Sequence, residues 1–155
     1  MKSYKYLLTK KRPNGDTMSQ ALCLLSSLDN SRLVLLLRDS IRGRRVPRER
    51  LAALKAKLQQ GQVVEPAHIP RDVITMNSTV SLLDLDTEVV ETCSLVYPGF
   101  ANVVENWVSV LAVLGVAILG QRVGDIVVWE SPTHFVRTKV EDLVFQPERE
   151  GRFDV

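Results

Sequence analysis

Apolar residues recur at helical spacing over two early stretches of the chain and at alternating spacing over much of the remainder. Asp29, Asn30 and Ser31 are all good helix N-caps, and after them Leu33, Leu36, Leu37 and Ile41 fall on one helical face. Gly43 allows a turn, and Pro47 suits the first position of a second helix. There Leu51, Leu54 and Leu58 make a matching stripe, Gly61 closes the helix and Pro66 forbids its continuation. Two short amphipathic helices joined by about four residues predict an antiparallel helical hairpin over 29–64. About 12 residues of helix at ~1.5 Å each give an arm of only ~18 Å.

Past a linker at 66–70 the period becomes that of a strand. Ile74, Met76, Val80 and Leu82 share a parity within a strand region predicted over 73–85. Further strands are predicted at 92–97, stopped by Pro98 and Gly99, and at 107–111. A short helix follows at 114–119, then closing strands at 126–129 and 135–145 around a turn at Ser131, Pro132 and Thr133. One helix against an antiparallel sheet is an α+β arrangement, assigned to residues 70–155. Residues 1–28 are left as a basic tail and lead-in, with Lys10, Lys11, Arg12 and a turn at Pro13-Asn14-Gly15-Asp16. Met18 is a candidate native start, with the preceding residues an upstream extension.

Charge changes this picture in one respect. The net charge of +2 conceals 14 Lys and Arg against 4 Asp and Glu in residues 1–60, and 6 against 14 in the remainder. A basic front half and an acidic back half suit different partners, and the basic half suits nucleic acid, nucleotides or an acidic protein surface. The longest near-apolar run, 107–119, falls short of the roughly 18 residues of a membrane span. Nor is Ala21 to Leu25 long enough for a signal-peptide apolar region. A soluble cytoplasmic protein without a membrane partner is the expectation.

Little in the chain points to catalysis. Cys23 and Cys93 lie far apart, with no Cys-x-x-Cys and no paired histidines, so buried thiols are expected and a zinc site is not. His68 and His134 are isolated from any plausible nucleophile. There is no nucleophile elbow, Walker loop or dinucleotide fingerprint. Gly115, Gly120 and Gly124 read as turn and packing glycines, and Tyr97, Trp107, Trp129 and Phe145 as core. No cofactor or metal is assigned. The sharpest local feature is the predicted hairpin tip, where Arg42, Arg44, Arg45, Arg48 and Arg50 crowd one turn. Arginine's planar fork binds phosphates and carboxylates bidentately. The simpler alternative is a solvated basic loop.

The run Leu111-Ala-Val-Leu-Gly-Val-Ala-Ile-Leu-Gly-Gln-Arg-Val-Gly-Asp125, leading into Ile126-Val-Val-Trp-Glu130, resembles the C-terminal domain of the GreA/GreB transcription elongation factors. Asp72-Val-Ile-Thr-Met-Asn-Ser78 and Leu143-Val-Phe-Gln-Pro-Glu148 narrow the resemblance to the Rnk-like branch, the regulators of nucleoside diphosphate kinase. It covers residues 29–155. The resemblance implies an FKBP-like fold for 70–155 and a coiled-coil arm for the hairpin. It further implies a bacterial transcription regulator whose partner is RNA polymerase, bound at the secondary channel.

In cleavage-stimulating Gre factors two acidic residues at the tip of a long arm help hold a catalytic magnesium, since a hard cation wants oxygen ligands. Here the arm is short, and Asp39 and Glu49 lie on opposite helices, each flanked by arginine. The expectation is a non-catalytic regulator that modulates elongation or competes with Gre-type factors without stimulating cleavage. The loop entering the short helix touches the polymerase rim in Gre factors. The matching positions here are Leu111, Ala112 and Val113, with valine where proline is usual; an apolar loop there could dock, or simply be buried. Two other readings stand beside this one. The arginine tip could bind RNA or nucleotides directly, with nascent RNA or DNA met only indirectly in the polymerase reading. The implied fold also raises a prolyl isomerase, by analogy alone. Homo-oligomerisation is left open.

Overall fold

Ser26 sets where the first helix begins. The structure, a computed structural model, describes residues 23–153 and 155, so the predicted tail and the Met18 start lie outside the described residues. Leu24–Ser26 (β1) leads directly into Ser27–Gly43 (α1), and the Ser26 hydroxyl accepts the Asp29 N–H at 3.0 Å as the N-cap. The cap therefore falls short of the predicted Asp29, Asn30 or Ser31. β1 decides the difference by pairing in parallel with Gln62–Val64 (β2), the strand that follows the second helix, Arg48–Gln60 (α2). Pro47 sits one residue before α2 as its cap and accepts from Arg50 and Leu51, rather than occupying the first helical position. The left-handed residue of the intervening turn is Arg44 (φ 50°), not Gly43.

The β1–β2 ladder closes the base of the helix pair, because α1 leaves and α2 returns at the same place. Along the pair Leu33, Leu51 and Leu54 are buried, with Leu36, Leu37 and Leu58 packed beside them. The predicted leucine stripes thus find their partners, except that Ile41, predicted on the same face of α1, is 55% exposed near the arginine turn. They belong to the same apolar cluster as the larger sheet of the molecule.

That sheet contains Thr79–Asp84 (β3), Val90–Val96 (β4), Trp107–Ser109 (β5), Ile126–Glu130 (β6) and Phe135–Phe145 (β7). Its order is β5-β4-β3-β7-β6. All pairings are antiparallel except β4–β5, which is parallel and corrects the expected antiparallel sheet. The long connection over 97–106 carries the chain across before β5 pairs, as a parallel neighbour requires. The predicted first strand is also shortened. Thr75–Ser78 is a turn in which Ser78 Oγ accepts the Thr75 N–H at 3.0 Å and Asn77 takes φ 65°, so β3 begins only at Thr79. Ile74, Met76, Val80 and Leu82 are buried as their shared parity requires, but Val73, Thr75 and Ser78 are buried too.

Val113–Ile118 (α3) packs on the sheet through Val116, Ala117 and Ile118. Gly115 lets this happen, since a Cβ there would run into the Ser109 carbonyl. Gly120 then turns the chain at φ 76°, with its Cα side facing Cys23. Among the described residues no helix is long and apolar enough to cross a membrane.

Candidate partner-binding surface

α1 and α2 carry the arginine turn to the end of the helix pair opposite its base. Seventeen helical residues in α1 reach about 25 Å at ~1.5 Å each. Arg42, Arg44, Arg45, Arg48 and Arg50 are all exposed on this turn, as are Asp39 and Glu49. Among the described residues none of the five arginines forms an ion pair, so their guanidinium forks face solvent. The structure gathers these five side chains as the sequence predicts.

The second predicted site lies elsewhere. Leu111, Ala112 and Val113 lead into α3, where Ala112 is the cap residue and accepts the Val116 N–H at 3.0 Å. Leu111 is only 6% exposed and turns into the core, while Ala112 and Val113 are half-buried. α3 touches the basal part of α2, so this loop and the arginine turn stand at separate points on the molecule.

Two charged side chains hold the arm to the sheet module: Lys57, which the sequence reading passed over, and Asp29, which it took only for a helix cap. Lys57, near the basal end of α2, donates from Nζ to the Ala117 carbonyl at 2.9 Å and to the Val116 carbonyl at 2.5 Å. A cation at the carbonyl end of α3 satisfies groups that a short helix leaves bare. Asp29, on the first turn of α1, accepts the Met76 N–H at 3.0 Å and is only 3% exposed. Burial, reinforced by the nearby Glu148 charge, raises its carboxyl from 3.8 to about 7 despite the lowering effect of that N–H. A signal for both was present: Lys57 follows Leu54 by three positions on the leucine stripe, and Asp29 precedes Leu33 by four.

Of the other candidates, Cys93 and the two histidines fall where the sequence reading put them, whereas Cys23 is only half-buried. Burial pushes the Cys93 thiol up to about 11, which leaves it unreactive, and Cys23 Sγ lies 3.5 Å from the Leu119 carbonyl. His134 bonds within its own turn, to Thr133 Oγ1 at 2.8 Å, and His68 lies on an exposed single helical turn. Trp129 is partly buried, its indole N–H given to Thr138 Oγ1 at 3.0 Å. Trp107 is not the core residue expected, because β5 is the sheet edge and leaves it 42% exposed.

Comparison with known proteins gives a consistent picture. Residues 69–144 match the model of the family described as "Transcription elongation factor, GreA/GreB, C-term". The "Regulator of nucleoside diphosphate kinase" of Escherichia coli is 36% identical over 141 residues, covering 88% of this chain and 98% of that protein. A "Transcription elongation factor GreA" from Thermodesulfovibrio yellowstonii is 28% identical over 97 residues, 63% of this chain and 61% of that protein. Among solved structures, the "Prokaryotic transcription elongation factor GreA/GreB" from Nitrosomonas europaea superposes with a TM-score of 0.68 at 31% identity. It covers 81% of this chain and 100% of that one.

Proposed function

The chain belongs to the GreA/GreB transcription elongation factor family, on its Rnk-like branch, and is a transcription-associated regulator; from that premise we propose that it binds bacterial RNA polymerase at the secondary channel. In this reading α1 and α2 form a short arm, and the FKBP-like module of residues 70–155 provides a second point of docking. The observation that carries the proposal is the set of five exposed arginines, in no ion pair among the described residues, on a turn whose opposite end is anchored by Lys57 and Asp29. An anchored arm presents its charge at a fixed place, and a basic tip steers toward acidic protein or phosphate through its long-range field.

The arm occupies the channel mouth and competes with other channel-binding factors. It does not stimulate transcript cleavage. Cleavage in this family calls on carboxylates held close together, whereas Asp39 and Glu49 stand on different helices among arginines that repel a divalent cation. The work is done in the cytoplasm, by binding alone.

The test is capture of purified bacterial RNA polymerase by the full chain and by Arg44→Glu/Arg45→Glu. Capture by the wild type and loss in the double variant support the arm as a contact. Capture by both moves the contact to the module around Ala112 and Val113. No capture by the wild type overturns the proposal and makes salt-dependent RNA binding the next reading to measure. In parallel, transcript shortening on adding the protein to backtracked polymerase would overturn the non-catalytic part.

A further inference from the structure

On the side of α1 that faces the β4–β5 edge, the helix and the sheet stand apart and enclose an open cavity of about 840 Å³. Leu35 and Leu36 form its helical wall, and Phe100, Trp107 and Phe145 form much of the rest. Several of these apolar groups meet solvent: Leu35 is 49% exposed and Phe100 is 65% exposed. Two cations stand on the same cavity, Arg32 from α1 and Arg152 from the C-terminal turn. Among the described residues neither forms an ion pair. The Tyr97 hydroxyl is buried in the wall without a hydrogen-bond partner among the described residues, and the Arg32 guanidinium stands beside it.

We infer that this cavity is a binding site for a small planar aromatic molecule carrying one acidic group, a carboxylate or a phosphate. The volume lies within the ~300–1,000 Å³ range of small-molecule sites, and an apolar wall with a few convergent polar groups is their usual make-up. Phe100, Trp107 and Phe145, with Tyr97 in the wall, favour a planar ring, which stacks on them offset or edge to face. Arg32 and Arg152 provide the forks that take a carboxylate or phosphate in two hydrogen bonds. Among the described residues the carboxylates near Arg32 do not neutralise it by pairing. Asp29 is committed to the Met76 N–H, and Glu148 accepts from Thr75 Oγ1 at 2.7 Å. One wall belongs to α1 and the opposite wall to the sheet, so an occupant bridges the arm and the module at a place distinct from the arginine turn.

The test uses the full chain and two probes that share their rings, 8-anilinonaphthalene-1-sulfonate, which carries an acid, and N-phenyl-1-naphthylamine, which does not. The wild type should bind the sulfonate saturably at one site, with quenching of tryptophan fluorescence. 2-Naphthoate and 2-naphthyl phosphate should displace it, and whichever competes better identifies the acid. Arg32→Gln should weaken the sulfonate at least tenfold while leaving the neutral probe within about twofold. Leu35→Trp, which fills the cavity from a half-exposed position, should abolish both. Unfolding midpoints establish that each variant is folded. Non-saturable binding by the wild type would overturn the proposal, as would equal weakening of both probes in Arg32→Gln or full binding by Leu35→Trp.

Discussion

Replacing Asp29 by asparagine keeps an acceptor for the Met76 N–H and removes the buried charge. Burial is the main reason the Asp29 carboxyl rises from 3.8 to about 7, and the Glu148 charge adds to it. The folded value exceeds the unfolded one, so the native state holds this proton over a range where the unfolded chain has released it. The stabilisation is complete below about pH 4 and is lost as the pH rises through about 7. That span is roughly three pH units at about 1.4 kcal/mol each, or about 4 kcal/mol in all. Between about pH 5 and pH 8 the loss is about 3 kcal/mol, which in a chain of this size lowers Tm by about 10 °C.

Thermal unfolding of wild type and Asp29→Asn, followed at constant ionic strength across that range, measures it. Glu148, Arg32 and Tyr97 face Asp29 in both proteins. The difference between the two profiles therefore isolates the one carboxyl. The variant's profile should be flatter by about the amount given, and the variant should be the more stable protein above about pH 7. Parallel profiles would refute the reasoning and mean that Asp29 is ionised and well solvated in the native state.

Three other substitutions test the packing. Lys57→Met removes the donor shared by the Val116 and Ala117 carbonyls, and urea unfolding should show a loss of about 2 kcal/mol or more. Gly115→Ala drives a methyl into the Ser109 carbonyl; a loss of about 1–3 kcal/mol is expected by the same measurement, and an unchanged midpoint would show that β5 yields freely. Arg44→Gly relieves a left-handed backbone that costs a non-glycine residue about 1 kcal/mol, so the variant should melt at or above the wild-type temperature even though it discards a tip cation.

Wherever neighbours along the chain decide the structure, the sequence was a good guide. The leucine stripes of α1 and α2, the short helix before the Val123-Gly124-Asp125 turn and the full extent of β7 depend on periodicity and local punctuation. The clustering of five arginines was legible for the same reason, since they share one turn. Four features depend on partners remote in the chain. The helix start at Ser26 follows from β1 pairing with a strand some 38 residues later. The parallel β5 depends on how the 97–106 connection crosses the sheet edge. The spacing of Asp29 and Lys57 to the leucine stripes hints at burial, but their partners lie 47 and 59–60 positions away. The Arg32 cavity, likewise, exists only because α1 and the sheet edge stand apart. Periodicity records which face of an element avoids water. It does not record which other element covers that face, and where a polar group on it will find its partner is settled only when the elements pack.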